Sequence, residues 1–221
     1  MHSIVEKLNF IRKEVNEIVD KKQLKTIPQI IVVTKTFPAE KIIPLLSSGH
    51  IHFGENKVQE AEKKWIDLKN KYKPYLHMVG KLQSNKAKKA VKLFDFIHSL
   101  DNEKLALKLH ESEIELNKKA KYFIQVNIAK ETQKSGIMLN ELYEFYIYCI
   151  KKLSLNVIGL MCLPPANIDP KDFFSLLKNE GEKLKTKDLS MGMSSDYKEA
   201  IVNGSTFLRL GSIIMGQRKS I

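Results

Sequence analysis

Ile30-Ile31-Val32-Val33-Thr34-Lys35 is the stretch that decides the fold. Four consecutive apolar, β-branched residues lie shortly after Pro28 and end in a polar pair. A short apolar run of this kind is typical of a strand that is buried on both faces of a parallel sheet. Further runs predict strands over residues 52–54, 76–79, 96–98, 123–126, 157–160, 189–191 and 207–210.

Helical spacing of apolar residues separates these strands. Pro38 opens one helix and Gly49 ends it, and Ser84 or Asn85 can cap another. Further helices are predicted over residues 57–68, 105–116, from 139 onward, over 173–184 and over 197–203. In front of the first strand, an extra helix carries a stripe of Ile4, Leu8, Ile11, Val15 and Ile18.

Alternating strands and helices predict a parallel sheet. Eight such units favour a closed (β/α)8 TIM barrel, because these barrels start at about 200 residues. A doubly wound open sheet is the alternative, but no Gly-x-Gly-x-x-Gly motif follows any predicted strand. We therefore predict one α/β domain over residues 1–221, with the N-terminal helix and lead-in over 1–27 and the barrel over 28–218.

The composition is that of an ordinary globular protein. The chain has 221 residues, of which 43% are apolar and 28% charged. No signal-peptide core and no apolar run of bilayer length occur in it, so we expect a cytoplasmic protein without a membrane partner. Cys149 and Cys162 form no CxxC pair and are predicted to be buried, reduced thiols. No HExxH-type arrangement occurs, and we expect no metal.

The net charge of +12 makes nucleic-acid binding an alternative function. However, the lysines are scattered over many predicted helices, mostly off the apolar stripes, where solvated helix faces lie. No zinc finger, RNA-binding aromatic motif or basic tail accompanies them. We therefore expect no nucleic-acid partner.

Lys35 is the strongest candidate for chemistry. In such barrels the functional residues gather at the carboxyl ends of the strands, and Lys35 directly follows the first strand. An amine at the edge of an apolar core is partly desolvated, which favours the neutral form that attacks an aldehyde. The alternative is a lysine that extends from the strand end into solvent.

Two loops near the C-terminus favour phosphate binding. The loop over 192–196 runs into a short predicted helix, and Ser194 or Ser195 can offer a hydroxyl and a backbone N–H to an anion. Gly211-Ser212 follows the last strand and offers a close backbone and another hydroxyl. The alternative is that Ser195 or Asp196 only caps the helix.

Arg209 lies within the last predicted strand, two residues before Gly211. A charged residue in an apolar strand needs a partner. That partner is either a carboxylate or backbone carbonyl across the barrel, or an acceptor on a ligand, such as a pyridine nitrogen.

These motifs together resemble one family, the pyridoxal phosphate homeostasis proteins (the YggS/PROSC family). The resemblance extends from about Val32 to Arg218, nearly the whole chain. It rests on residues 32–36, 52–56, 77–86, 123–127, 134–136, 159–161, 189–194 and 209–212. Ser195 and Ser212 depart from the usual Asn and Thr but keep a hydrogen-bonding group, and Lys81 after Gly80 has no assigned role.

The resemblance implies a barrel similar to the N-terminal domain of alanine racemase. It also implies pyridoxal 5′-phosphate (PLP) as the cofactor, held as an imine on Lys35. Arg209 would face the pyridine nitrogen, Ser194 and Gly211-Ser212 would hold the phosphate, and Asn56 would lie beside the ring. With Met193, these residues form the predicted cofactor-binding set.

The function implied is intracellular PLP (vitamin B6) homeostasis, without a catalytic residue. The alternative is a PLP-dependent amino-acid racemase. Racemization needs acid–base groups on both faces of the substrate carbon, related racemases draw one of them from a second domain, and we expect no such domain here. We expect PLP and apo-PLP enzymes as partners, and a monomer or weak dimer.

Overall fold

Eight parallel strands close into a barrel in the computed structural model, which describes residues 3–129 and 135–217. Lys134 and Arg218, both within the predicted family resemblance, lie outside these residues. The strands are β1 Gln29–Val33, β2 His52–Glu55, β3 Tyr75–Met78, β4 Phe96–Leu100, β5 Lys121–Val126, β6 Asn156–Cys162, β7 Asp188–Ser190 and β8 Phe207–Leu210. Each strand pairs with its neighbour in sequence, and β8 returns to β1. The predicted (β/α)8 barrel is therefore confirmed.

Helices follow the strands and cover the outside of the barrel. They are α1 Ile4–Lys21, α2 Ala39–Ser47, α3 Val58–Tyr72, α4 Ala87–Leu93, α5 Glu103–Leu116, α6 Leu142–Ile147, α7 Lys171–Lys183, α8 Tyr197–Val202 and α9 Ser212–Met215. Closure of the barrel places Ile31 opposite Arg209 and Val32 opposite Leu210. The first and last strands thus bring Lys35 and Gly211 to the same end of the barrel.

Two predicted details of the helices were wrong, and one helix was missed. Ser84 caps no helix, because residues Ser84–Lys86 form a 3-10 turn and α4 begins after it without a side-chain cap. The helix expected from Leu139 begins at Leu142, since a turn precedes it, and it continues into a π-helical segment, Tyr148–Lys152. The short helix α9 was not predicted at all.

The core has two layers. Inside the barrel, the side chains of Ile31, Phe96, Phe123, Met161 and Phe207 form one buried cluster. A larger cluster fills the space between the outer faces of the strands and the helices. Burying this apolar surface is the main force that holds the barrel closed.

Helix α1 is the predicted extra helix, and a capping box starts it. Glu6 donates its N–H to Ser3 Oγ (3.2 Å), while Glu6 Oε2 accepts the N–H of Ser3 (2.7 Å). Its buried face packs against the barrel next to α8, where Tyr197 donates its hydroxyl to Glu14 (2.7 Å). The N-terminal helix therefore supports the part of the fold that carries the loop over 192–196.

Both cysteines are free and buried, as predicted, and burial raises the pKa of each thiol to about 12. In the described residues, no helix is long and apolar enough to cross a membrane. The same residues contain no group of three or more His, Cys, Asp or Glu side chains arranged to hold a metal ion. That the protein uses no metal remains a prediction.

Candidate functional site

The carboxyl ends of the strands surround a cavity of about 780 Å³. All seven residues of the predicted cofactor-binding set line it: Lys35, Asn56, Met193, Ser194, Arg209, Gly211 and Ser212. They come from the ends of four strands, β1, β2, β7 and β8, so only closure of the barrel brings them together. Their roles as cofactor contacts remain predictions.

Lys35 occupies a tightly held turn after β1. On one side of it, the carbonyl oxygen of Thr34 accepts a hydrogen bond from Lys64 Nζ (2.9 Å). On the other side, the N–H of Thr36 donates to Glu60 Oε1 (2.6 Å), and Thr36 has a left-handed backbone with φ of 67°. These contacts fix the backbone on both sides of Lys35 and set the direction in which its side chain leaves the strand.

Glu55 is the centre of the network that holds this turn. Its Oε1 atom accepts hydrogen bonds from Thr34 Oγ1 (2.7 Å), Lys64 Nζ (2.9 Å) and Trp65 Nε1 (2.9 Å). The carboxylate is fully buried and the Lys64 side chain is only 7% exposed, so the two form a buried ion pair. Sequence reasoning placed Glu55 at a strand end but gave it no role, and Lys64 carried no signal because it lies within an ordinary charged helix.

Two backbone N–H groups converge on one point beside the cavity. Gly211 N and Ile213 N lie 3.3 and 3.4 Å from Ser194 Oγ, which accepts from both. Backbone donors that converge in this way suit an anionic oxygen. The hydroxyl proton of Ser194 remains available as a further donor.

The loop that carries Ser194 is held by Asp196. Its carboxylate accepts the N–H of Met193 (2.5 Å) and makes no capping bond to the N-terminus of α8. The alternative that Asp196 caps this helix through its side chain was therefore wrong. Gly192 is required here, because its φ is +92° and a Cβ atom would lie 2.6 Å from Ala200 Cβ.

Asn56 is positioned by a close approach between the loops after β2 and β3. A Cβ atom on Gly80 would lie only 2.4 Å from the backbone oxygen of Asn56. The glycine at this position lets the two loops touch, and Asn56 therefore faces the cavity from a constrained backbone.

Arg209 is buried in β8 and has two protein partners. Nη1 donates to Ser190 Oγ (2.7 Å) and Nη2 to the carbonyl oxygen of Cys162 (2.8 Å). Of the partners considered from the sequence, the backbone carbonyl is present. No carboxylate in residues 3–129 or 135–217 forms an ion pair with Arg209. Burial lowers the pKa of the guanidinium, so the site holds a cation at a real desolvation cost.

Three histidines outside the cavity are buried and neutral. Burial and the neighbouring Arg12 lower the pKa of His50 to about 4. Burial also lowers the pKa of His77 and His98 well below the ordinary value, helped by nearby cationic groups. An unfolded histidine takes up a proton near pH 6.5, so protons favour the unfolded chain as the pH falls.

We therefore expect the free energy of unfolding to fall as the pH is lowered from 7 to 5, by about 2 kcal/mol for each of these three histidines. Urea denaturation at the two pH values measures this change. The variant His50→Gln should lose about a third of the pH dependence while keeping the fold. An unfolding free energy that is equal at both pH values would show that these histidines take up protons in the folded protein as readily as in the unfolded chain.

Comparison with known proteins supports the predicted family. The family model described as alanine racemase, N-terminal domain, matches residues 8–219. The pyridoxal phosphate homeostasis protein of Synechocystis sp. is 37% identical over 199 residues, which cover 86% of this chain and 91% of that protein. The homologous protein of Vibrio cholerae is 34% identical over 234 residues, with 99% of this chain and 98% of that protein covered. The chain belongs to the pyridoxal phosphate homeostasis protein family.

Solved structures agree with this family assignment. PipY of Synechococcus elongatus, solved with PLP bound, superimposes with a TM-score of 0.85 at 33% identity and covers 96% of this chain and 100% of its own. Alanine racemase of Clostridium difficile superimposes with a TM-score of 0.69 at 16% identity, and the match covers 57% of that enzyme. The likeness to the racemase shows a shared fold only.

Proposed function

We propose that this member of the family binds PLP in the cavity at the carboxyl ends of the strands, carries it on Lys35, and serves PLP homeostasis in the cytoplasm without turnover. One observation carries the proposal. The seven residues that were predicted from the sequence to bind the cofactor all line one cavity of about 780 Å³. PipY, a family member of the same fold, is known with PLP bound.

The donor set fits PLP. Lys35 supplies the amine that condenses with the PLP aldehyde and releases one water, giving an imine. Ser194 and Ser212 supply hydroxyl donors for the phosphate, and the backbone N–H of Gly211 orients the Ser194 hydroxyl by donating to its Oγ. Arg209 supplies a cation beside the pyridine ring. No described residue that lines the cavity is a carboxylate, which suits a ligand with a doubly charged phosphate.

The racemase alternative has less support from the same lining. Racemization requires an acid–base group on each face of the substrate carbon. Within the described residues, the ionisable side chains that line the cavity are those of Lys35 and Arg209, and an arginine stays protonated. Lys35 thus lacks the second acid–base group that racemization needs. The relatives of Synechocystis sp. and Vibrio cholerae, which match along almost their whole length, carry the name of homeostasis proteins.

The partners proposed are PLP itself and apo-PLP enzymes that receive it, and the protein is proposed to act as one domain, as a monomer or weak dimer. We propose no nucleic-acid partner. Several lysines form ion pairs at separate places on the surface, among them Lys89 on α4 with Glu62, Lys119 after α5 with Glu113, and Lys198 on α8 with Glu14. Lysines distributed in this way belong to solvated helix faces, not to one basic groove.

A loading and transfer experiment tests the proposed function. Purified protein should take up PLP in equimolar amount, and should take up pyridoxal much more weakly because pyridoxal lacks the phosphate that the Ser194 loop would hold. The loaded protein should restore activity to an apo-PLP enzyme and should not interconvert L- and D-alanine. Sustained alanine racemization by the loaded protein would favour the racemase instead.

A further inference from the structure

Arg209 carries a positive charge in a buried position. Its guanidinium lies inside the barrel, and the two groups that accept its hydrogen bonds, Ser190 Oγ and the Cys162 carbonyl, are both neutral. A buried cation is normally held by a carboxylate. In the part of the chain that the structure describes, no carboxylate bonds to Arg209, and Asp196 acts on it only through space. Its orientation therefore depends on how firmly the neutral acceptors are held.

Ser190 is the end of a line of hydrogen bonds through the barrel interior. Ser190 Oγ lies 2.8 Å from His98 Nδ1, His98 Nε2 lies 2.9 Å from His77 Nδ1, and His77 Nε2 lies 2.9 Å from His52 Nδ1. We call His52, His77, His98 and Ser190 the histidine relay. It connects Arg209 to His52 at the start of β2, which lines a separate cavity of about 270 Å³.

The direction of every bond in the histidine relay follows from Arg209. A guanidinium can only donate, so Ser190 Oγ must accept from it. Among the described residues, His98 Nδ1 is the partner that can accept the single hydroxyl proton of Ser190. With Nδ1 accepting, a neutral His98 carries its proton on Nε2 and donates it to His77 Nδ1. In the same way, His77 carries its proton on Nε2 and donates it to His52 Nδ1. All three histidines are thus neutral with the proton on Nε2.

The packing holds the histidine rings in this line. The His77 ring stacks on Phe96 at 4.3 Å with an interplanar angle of 11°, and the His98 ring stacks on Phe123 at 4.3 Å with an angle of 19°. His77 and His98 are fully buried. Rings that are buried, stacked on one face and bonded at both nitrogens cannot easily turn to exchange Nδ1 and Nε2, so the hydrogen-bond direction is stable.

The charges around the relay favour its neutral state. The charged or titratable groups that face it include Lys121 from β5, Arg209 from β8, His50 from the segment before β2, and Tyr75 from β3, whose ring stacks on His52. No carboxylate within residues 3–129 or 135–217 bonds to a relay side chain. The nearby cations Lys121 and Arg209 oppose a second proton on any ring, as burial does.

We propose that the histidine relay consists of positioning residues for Arg209, which hold its guanidinium by neutral acceptors so that its charge and remaining N–H groups serve the ligand. Two of the five N–H groups of Arg209 are used by protein acceptors, and Arg209 lines the cavity. This inference rests on the proposed PLP site, because it assigns the ligand as the partner of Arg209. A carboxylate in place of Ser190 would hold Arg209 equally well but would neutralise it.

The protonation state of the relay is tested first on the ligand-free wild type. Two-bond proton–nitrogen NMR spectra of protein labelled with ¹⁵N-histidine distinguish the two neutral tautomers and the cation. The relay predicts the Nε2–H tautomer for His52, His77 and His98 at neutral pH. A proton on Nδ1 of His98 or His77, or a cationic ring there, would overturn the proposal whatever the protein binds.

The second test measures PLP affinity. His98→Phe keeps a ring against Phe123 but removes the acceptor that orients the Ser190 hydroxyl beneath Arg209. A misplaced guanidinium loses a hydrogen bond to the ligand, and a lost hydrogen bond of a charged group weakens binding by about tenfold or more. Ser190→Ala should weaken PLP binding similarly, and Ser190→Thr, which keeps the hydroxyl, should restore it. His110→Phe on α5 is the matched control and should leave the affinity unchanged.

The outcomes separate the two proposals. If His98→Phe and Ser190→Ala bind PLP as tightly as the wild type, the histidine relay does not position Arg209. If the wild type takes up no PLP, the proposed function fails, while the tautomers still decide the state of the relay. Should His98→Phe not fold, the pair Ser190→Ala and Ser190→Thr makes the same comparison with a smaller change.

Discussion

Replacement of Lys35 by alanine is expected to abolish the covalent binding of PLP. The proposed imine needs a primary amine at this point of the cavity, and no other lysine lines that cavity in the described residues. The visible absorption band that the wild type gains with PLP should be absent in Lys35→Ala, and gel filtration should separate PLP from the protein. Lys35→Arg should behave in the same way, because it keeps the charge but forms no stable imine.

A matched control comes from the neighbouring cavity, which Lys81 lines after β3. Lys81→Ala removes a lysine of the same barrel end and should retain both the absorption band and the bound PLP. Because the backbone contacts of Thr34 and Thr36 do not involve the Lys35 side chain, the variants should keep the wild-type fold by circular dichroism. An unchanged band in Lys35→Ala would move the attachment site to another residue.

Glu55→Ala is expected to lower the free energy of unfolding by about 3–5 kcal/mol, the usual cost of removing one partner from a buried ion pair. The substitution leaves the Lys64 ammonium, the Trp65 N–H and the Thr34 hydroxyl without their shared acceptor. It should also weaken PLP uptake, because these bonds fix the turn that carries Lys35. Urea denaturation gives the first quantity and an absorbance titration the second.

Glu62, which lies on the same helix as Lys64, provides the control for Glu55→Ala. It pairs with Lys89 in an exposed salt bridge, and such pairs contribute about 1 kcal/mol or less. Glu62→Ala should therefore change the unfolding free energy by no more than that amount and leave PLP uptake intact. A loss for Glu55→Ala that is as small as the loss for Glu62→Ala would mean that water reaches Lys64 and that Glu55 does not hold the turn.

The barrel could be predicted because each of its strands is short, apolar and separated from the next by helical spacing. The run over residues 30–33 predicts β1, which spans Gln29–Val33 in the structure. The run over residues 207–210 predicts β8 with the bounds that the structure shows. The helix ends were less predictable, since local hydrogen bonds decide them. A 3-10 turn begins at Ser84, and a turn and a π-helical segment flank α6. The spacing of apolar residues does not distinguish such turns and π-helical segments from an α-helix.

The cavity residues could be predicted because they lie at strand ends, where the order of the chain alone places them on one face. The residues that support them could not. Glu55 is bonded to Lys64 and Trp65 through the packing of α3 on β2. The histidine relay joins four strands, and only the stagger of the barrel sets which ring meets which.

One sequence feature could have indicated the relay. His52, His77 and His98 lie in three successive strands, and a polar residue in a buried strand needs a partner. Three such residues in neighbouring strands indicate partners for one another. The metal-ligand spacings considered from the sequence did not address this pattern, because ring-to-ring hydrogen bonds follow the register between strands and not the spacing along the chain.

Attachment of PLP to Lys35 is tested most directly by reduction and peptide mapping. The PLP-loaded protein is treated with borohydride, which converts an imine into a stable secondary amine, and is then digested and analysed by mass spectrometry. We predict one modified peptide, with the added mass of a reduced pyridoxyl phosphate group located on Lys35. Modification of another lysine, with the Lys35 peptide unmodified, would contradict the proposed attachment.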